Sequence, residues 1–350
     1  MSQKYTTAVV GATGAVGQKI IEKLVERNFP YGELKLLASK NSAGKQIDIN
    51  GVTYTIEEAV PEAFEGVNIA FFSAGGAISK ALAKEASSRG AVVIDNTSAF
   101  RMDPDVPLVV PEVNKHALHE HNGIIANPNC STIQMVCALE PIRQTVGLNK
   151  VIVSTYQAVS GAGAAAIQEL TQQSEKIAEK NPIPEILPVK SAEKHYPIAG
   201  NVIPQIDVFT EDGFTFEEHK MMNETKKIMS LPDLAIAATC VRVPVITGHS
   251  ESVFIEIEKE NVTVAELKQL LSDAPGVTVQ DSPAQQEYPM PFFVEDEDDV
   301  FVGRIRKDPS NDRGFHMWIV SDNLLKGAAL NSIQIAEALI EEGLLKEVHE

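Results

Sequence analysis

Cysteine is scarce, with three residues in 350, at positions 130, 137 and 240. An odd, widely spaced set offers no disulfide framework and suits a reducing compartment. Tryptophan occurs once, yet apolar residues still make up 44% of the chain, so disorder is excluded and a buried core is expected. Basic residues are outnumbered: 30 Lys and Arg face 48 Asp and Glu, a formal charge of -18. That field repels phosphodiester backbones and anionic headgroups, so neither nucleic acid nor a membrane surface is an expected partner. No apolar run approaches the roughly 18 residues that suggest a membrane span, and the first residues lack the basic stretch, apolar core and cleavage site of a signal peptide. A cytoplasmic location is the expectation.

What is present is organised in two parts, as a chain of this length favours. Tyr5 to Val10 reads as a strand, followed by a glycine turn and a helix over Gln18 to Arg27. Leu34–Ala38, Asn68–Ser73 and Ala91–Asp95 read as further strands, with a helix over Ala77–Arg89. Alternation of this kind predicts a parallel sheet. Beyond Asn127 longer β-rich runs, Lys150–Val159, Ala235–Val245 and Ser252–Glu258, predict a separate α+β domain. The proline-rich stretch Asn181–Pro188 joins a helix to an irregular excursion. Asn323–Leu345 has helical spacing throughout and reads as one long helix with an acidic end. Glu295–Asp299 reads as a solvated loop.

The turn Gly11-Ala12-Thr13-Gly14-Ala15-Val16-Gly17 lies between the first strand and the first helix. Small residues there let backbone approach a pyrophosphate, and the helix N-terminus favours its charge, so a dinucleotide is the expected ligand. An NAD-specific site places an acid near the end of the second strand. Here that strand runs into Ser39-Lys40-Asn41-Ser42, two hydroxyls, an amide and a cation that suit a 2′-phosphate, so NADP is expected over NAD.

Asn127-Pro128-Asn129-Cys130-Ser131-Thr132 directly precedes a helical pattern over Ile133–Arg143. A helix N-terminus stabilises the thiolate, the reactive form of cysteine, and neighbouring amides are able to hold an oxyanion. Cys137 and Cys240 read instead as small buried hydrophobes. Among eight histidines, His249 stands after a β-rich run and a glycine, where strand ends commonly line sites, and is a candidate proton-transfer partner. His116, His119 and His121 lack further ligands nearby and read as an exposed turn, so no metal is assigned. Arg101, Arg242 and Lys220 are candidate anion-collecting groups, with ordinary surface pairing as the alternative, Lys220 with Glu217 or Glu224 along one helix. Arg304, Arg306 and Lys307 read as an exposed strand edge.

With these residues assembled, the whole chain resembles the bacterial aspartate-semialdehyde dehydrogenases. The matching segments are Gly11 to Gly17, Asp95-Asn96-Thr97-Ser98-Ala99-Phe100-Arg101, Asn129-Cys130-Ser131-Thr132, Gln157 with Ser160-Gly161-Ala162-Gly163, Glu217-Glu218-His219-Lys220, Arg242 with His249, and Ser321-Asp322-Asn323. The resemblance implies a Rossmann-type NADP-binding domain, residues 1–129 plus 324–350, and an α+β catalytic and dimerisation domain, residues 130–323. It implies NADPH-dependent reductive dephosphorylation of β-aspartyl phosphate to aspartate semialdehyde, on the route to lysine, threonine and methionine. By position, Cys130 is the nucleophile and His249 the general acid/base, Gln157 orients the acyl intermediate and Asn129 assists the nucleophile. Arg242 and Glu217 hold the amino-acid portion, while Arg101 and Lys220 bind phosphate. Gly11, Thr13, Gly14, Ala15, Val16 and Ser73 serve the cofactor, Ser39, Lys40, Asn41 and Ser42 its 2′-phosphate, and Ser160, Gly161 and Asn323 its nicotinamide. Related enzymes often carry Arg where this chain has Asn41, which shifts the 2′-phosphate onto Lys40 and the serines. A homodimer or homotetramer and small-molecule substrates are the implied partners.

Other readings remain open to the residues themselves. Another acyl-phosphate reductase, for N-acetylglutamyl phosphate or a glyceraldehyde phosphate, would share the thioester and differ around Arg242 and Glu217. A silent dinucleotide sensor would need no reactive Cys130. A hydrolase using Cys130 and His249 would leave the glycine turn without a purpose.

Overall fold

Short strands buried on both faces, alternating with one-sided helices, build the first half of the chain. The computed structural model describes residues 3–179 and 182–345, so Asn181 and the last acidic residues beyond Leu345 lie outside the described residues. Two units result, Met1–Pro128 with Ala328–Glu350, and Asn129–Gly327.

In the first unit the elements run β1 (Tyr5–Val10), α1 (Ala15–Glu26), β2 (Tyr31–Ala38), β3 (Gln46–Ile49), β4 (Val52–Thr55), β5 (Glu57–Glu58), β6 (Ile69–Phe72), α2 (Gly76–Ser88), β7 (Val92–Asp95), α3 (Pro111–Asn114) and β8 (Ile124–Ala126). The main sheet has the order β5-β2-β1-β6-β7-β8, with every pairing parallel. β3 and β4 form a separate antiparallel hairpin. Strands of a sheet covered on both faces carry continuous apolar runs rather than alternation; Ile69–Phe72 is buried at all positions. The core joins Val9, Leu36, Ile69 and Phe71 to Ile20 and Leu24 of α1 and to Ile333, Ala336 and Leu339 of the C-terminal helix Leu330–Glu341. Each of the larger of these side chains contributes about 1.5–3 kcal/mol by leaving water. That helix is shorter than the spacing of Asn323–Leu345 suggests, because Leu325–Ala329 winds as a π-helical turn before it.

The strand order reverses at β1, whose neighbours are β2 on one side and β6 on the other. A parallel sheet opens a crevice at such a switch point, beyond the carboxyl ends of its strands. The glycine turn occupies that place. Gly11 has φ of 90°, a left-handed conformation that favours glycine, and a Cβ there would meet Ser73 Oγ at 2.8 Å. At Gly17 a Cβ would collide with the Gly11 carbonyl, so helix and turn pack backbone to backbone.

The second unit holds α4 (Cys130–Val146), β9 (Lys150–Gln157), α5 (Ala164–Glu175), α6 (Phe216–Ile228), β10 (Ala235–Arg242), β11 (His249–Glu256), α7 (Val264–Ser272), β12 (Val277–Val279), β13 (Val300–Lys307) and β14 (Gly314–Ser321). Its mixed sheet has the order β10-β9-β11-β14-β13-β12. β9 alternates exposed and buried along most of its length, the signature of a sheet with one face covered. Val151, Val153, Thr155 and Gln157 face the covered side; Ile152 and Tyr156 are exposed, the latter with its ring 5.3 Å from that of Trp318. Arg304, Arg306 and Lys307 are exposed on the half of β13 that β12 does not reach, since β12 pairs only with Val300–Val302; there the pairing with β14 slips between Gly303 and Arg306, Arg304 turns to φ of 53°, and Asp281 accepts the Arg304 and Ile305 amides.

Candidate active site

The reactive cysteine opens α4, and its capping residue decides what the helix terminus offers. Asn129, in extended conformation, is the N-cap, and its Oδ1 accepts from the Ser131 and Thr132 amides at 3.1 and 3.2 Å. Those two amides are thereby committed, which corrects the expectation that they hold an oxyanion. The cap is itself held by α6. Asn129 Nδ2 donates to Glu217 Oε1 at 2.8 Å and the Asn129 amide donates to Glu224 Oε2 at 2.6 Å. Glu217 and Glu224 are seven residues apart, two turns along one face of a helix. Cys130 stays partly exposed while Cys137 and Cys240 are buried. Its backbone lies against Gly327, where a Cβ would stand 2.7 Å from the Cys130 Cβ.

The ends of β9, β10 and β11 bring the other groups. Parallel register places Arg242 opposite Gln157, and His249 begins β11 on the same covered face. Arg242, 3% exposed, donates through one terminal nitrogen to the Ala158 carbonyl at 2.7 Å and leaves Nε buried without a partner. An unpartnered buried guanidinium nitrogen is the kind of donor a carboxylate ligand satisfies. The Arg242 charge also reaches the Cys130 sulfur. Gln157 Nε2 donates to Glu217 Oε1 at 3.1 Å, and Gln157 Oε1 accepts from Thr155 Oγ1 at 2.9 Å. For Glu217, burial alone would raise the carboxyl, but Lys220, the Asn129 and Gln157 amides and Arg242 outweigh it and hold the pKa at about 2. Lys220 bridges Glu217 at 3.2 Å and Asp207 at 2.9 Å.

His249 is fully buried, and burial together with the Arg242 charge pushes its pKa down to about 3 against the pull of Glu217. Its Nδ1 accepts from the Ala158 amide at 3.0 Å. A backbone N–H only donates, so Nδ1 carries no proton and the neutral ring holds its proton on Nε2. Gln157 Nε2 lies 3.4 Å from that Nε2; with both nitrogens protonated this pair is two converging donors. A Cβ on Gly161 would stand 3.2 Å from His249 Nε2 and from Arg242, so glycine keeps the backbone close beneath both.

Asn129, Cys130, Gln157, Gly161, Glu217, Lys220, Arg242 and His249 therefore cluster within the second unit. Ser160 and Asn323 join each other there, Asn323 Nδ2 donating to Ser160 Oγ at 2.9 Å and its Oδ1 accepting from the Gly248 amide at 2.9 Å. Arg101 belongs to the first unit, buried, with Nε on the Asn127 carbonyl and a terminal nitrogen on that of Asn96, each at 2.9 Å. Also in the first unit, Gly14 is the N-cap of α1, and its missing side chain leaves no cap hydrogen bond over the first turn. Ser73 Oγ donates to the Val10 carbonyl at 2.9 Å, and Ser39–Ser42 form a turn closed by the Ser42 amide on the Ser39 carbonyl at 2.8 Å. Small residues, an uncapped helix terminus and a switch point fit a dinucleotide. His119 Nε2 lies 3.5 Å from Glu342. Gln134, Glu251 and Gly327 were not picked out by sequence reasoning, and Glu224 only as a pairing option for Lys220; Gln134 at one helical turn from Cys130 and Glu224 at two turns from Glu217 are spacings that could have marked their roles.

Comparison with known proteins gives two family matches, the semialdehyde dehydrogenase NAD binding domain over residues 6–121 and the semialdehyde dehydrogenase dimerisation domain over residues 139–326. The aspartate-semialdehyde dehydrogenase of Bacillus subtilis is 65% identical over 340 residues, 97% of this chain and 98% of that protein. A structure of aspartate semialdehyde dehydrogenase II from Vibrio cholerae, complexed with ASA, superposes with a TM-score of 0.91 at 44% identity, covering 97% of this chain and 99% of the other. The Candida albicans enzyme, solved with NADP, gives 0.76 at 26% identity over 98% of this chain and 100% of the other.

Proposed function

The chain belongs to the aspartate-semialdehyde dehydrogenases, and from that premise we propose how its residues divide the reaction, the NADPH-dependent reductive dephosphorylation of β-aspartyl phosphate to aspartate semialdehyde. The activity serves lysine, threonine, methionine and isoleucine biosynthesis. The observation that carries the assignment of residues is a partly exposed Cys130 at the first position of α4, whose cap Asn129 is held by Glu217, the same carboxylate that accepts Gln157.

Cys130 attacks the acyl carbon; a C–S bond forms, the C–O bond to phosphate breaks, and phosphate leaves with the electron pair. When bound, a nicotinamide cofactor would supply the hydride that the resulting thioester needs for reduction. Collapse of the thiohemiacetal oxyanion then returns the C–S pair to Cys130 and frees the aldehyde. Both tetrahedral stages place negative charge on the former carbonyl oxygen, and the converging N–H groups of Gln157 and His249 suit it. His249 acts from Nε2, the nitrogen that its bond with Ala158 leaves protonated. Arg242 receives the substrate α-carboxylate, Glu217 the ammonium, and Arg101 with Lys220 the phosphate. Asn129 fixes the cap from which Cys130 projects.

An NAD(P) cofactor belongs with the first unit, and Gly11, Thr13, Gly14, Ala15, Val16 and Ser73 would hold it. Preference for NADP rests on Ser39, Lys40, Asn41 and Ser42, a turn without an acid. Ser160, Gly161 and Asn323 are assigned to the nicotinamide. The chain acts on small molecules and oligomerises; a homodimer built on the second unit is the form proposed, supported by the half-exposed sheet face carrying Ile152, Tyr156 and Trp318. No described helix is long and apolar enough to cross a membrane, and cytoplasmic location is proposed on the charge and free thiols. The test is reduced-nicotinamide absorbance on mixing the protein with aspartate semialdehyde, phosphate and NADP, beside controls without phosphate or with NAD. Signal that depends on phosphate and favours NADP supports the reading; equal rates with NAD remove the cofactor preference, and no signal removes the assignment of residues.

A further inference from the structure

Behind the reacting groups lies a side chain that touches both of their supports. Gln134 follows Cys130 by four residues on α4, one turn further along the same face, and is fully buried. Its Nε2 donates to the backbone carbonyl of His249 at 3.3 Å, and its Oε1 accepts from Ser321 Oγ at 3.0 Å. His249 and Ser321 are paired across β11 and β14, so one amide spans from the nucleophile's helix to the two strands that present the imidazole. Beside it Glu251 is fully buried, its two carboxyl oxygens without a hydrogen-bond partner among the described residues. The amide makes both of its defined bonds to the strand ends, and those two bonds fix its direction.

We infer that Gln134 is a positioning residue for this reaction: it sets the placement of Cys130 relative to His249. The inference rests on the proposed roles of those two residues. Attack on the acyl carbon and stabilisation of the oxyanion need sulfur and imidazole on opposite sides of one small group, and misplacement by about 1 Å costs up to about a hundredfold in rate. Substrate affinity, carried by Arg242 and Glu217 on other elements, does not pass through this amide.

The test compares Gln134→Met, near in volume but unable to make either bond, with Ser321→Ala and the double variant in the full-length protein. Expected is a fall in kcat of about tenfold to a hundredfold in Gln134→Met, with KM for aspartate semialdehyde close to the parent's and at most a modest fall in melting temperature from the two bonds lost. The double variant should be no worse than Gln134→Met alone, because both changes break one linkage. Unchanged kcat, a loss shared equally by kcat, KM and melting temperature, or additive losses would each overturn the inference. Absent turnover in the parent would instead count against the proposed function. The nitrogen resonances of the His249 imidazole, read without substrate, decide the present point in that event: displaced in Gln134→Met if the amide positions the ring, unmoved if it does not.

Discussion

Glu217 accepts the side-chain amide of Asn129 at 2.8 Å, so a carboxylate on α6 holds the residue that caps the nucleophile's helix. The same carboxylate accepts Gln157 and Lys220, and its pKa of about 2 lies below the ordinary 4.5. A depressed folded value means that the stabilisation is complete above pH 4.5 and is lost as pH falls from there toward 2. The difference corresponds to about 3 kcal/mol for this buried group. Glu217→Gln should therefore flatten the acid limb of stability measured by urea unfolding between pH 6 and 2. It should also raise KM for the amino-acid substrate. An acid limb as steep as the parent's would refute the electrostatic role.

Thiol chemistry should single out Cys130. Cys137 and Cys240 are 2% and 0% exposed, and burial pushes the Cys240 thiol up further, whereas Cys130 has a helix N-terminus and the Arg242 charge in its favour. Iodoacetamide on the folded protein is expected to label Cys130 first and to abolish turnover in step. Cys130→Ala should lose turnover and keep NADPH binding, read by fluorescence titration. Appreciable turnover in that variant removes the nucleophile assignment.

Local chemistry in the sequence marked the β1 turn and Cys130 at a helix terminus, because each is written within a few adjacent residues, whereas the capping role of Asn129 came only with the structure. The bounds of α4 were harder. Its residues from Ser131 to Glu140 are all buried, so the apolar stripe that dates a surface helix is lost, and the helix begins at Cys130 rather than Ile133 and runs on to Val146. β14 went unread, and of β13 only Arg304, Arg306 and Lys307 were read as a strand edge: the two strands pair with each other, but acidic and charged segments flank them, and the other partner of β14 is β11, far back in the chain, so only pairing makes them strands. Sequence distance also hid the role of Glu224, whose bond to Asn129 spans 95 residues. Arg101 was named for its charge and by the resemblance; the structure adds that its Nε and one terminal nitrogen rest on backbone carbonyls of its own unit.

Gly327 sets a packing limit on the nucleophile. Gly327→Ala would place a methyl group 2.7 Å from the Cys130 Cβ, closer than real carbon atoms come, so one of the two segments has to shift. Overpacking of this kind costs about 1–3 kcal/mol. The expected result is a lower melting temperature with a disproportionate loss of kcat, since the atom displaced is the one next to sulfur. Gly161→Ala, with its contacts at 3.2 Å, should be milder in stability and act through Arg242 and His249. A Gly327→Ala enzyme with parental kcat would show that Cys130 tolerates the displacement.

Glu251 offers a test in which pH acts in the opposite sense to Glu217. Burial raises its pKa well above 4.5, with the Gln134 amide working weakly against that rise. The folded protein then keeps a proton that the unfolded chain has released, so stability declines as pH rises from about 4.5 toward the raised folded value. Glu251→Gln has nothing to ionise. Relative to the parent it should be no more stable in acid and progressively more stable as pH increases, with a gain on the order of 1–3 kcal/mol once the parent's buried, unpartnered carboxyl bears its cost. Urea midpoints for both proteins from pH 4 to 9 measure this directly. Parallel curves across that range would mean that the Glu251 carboxyl finds a partner or a solvent path, and that its neutral state beside Gln134 is not part of how the site is held.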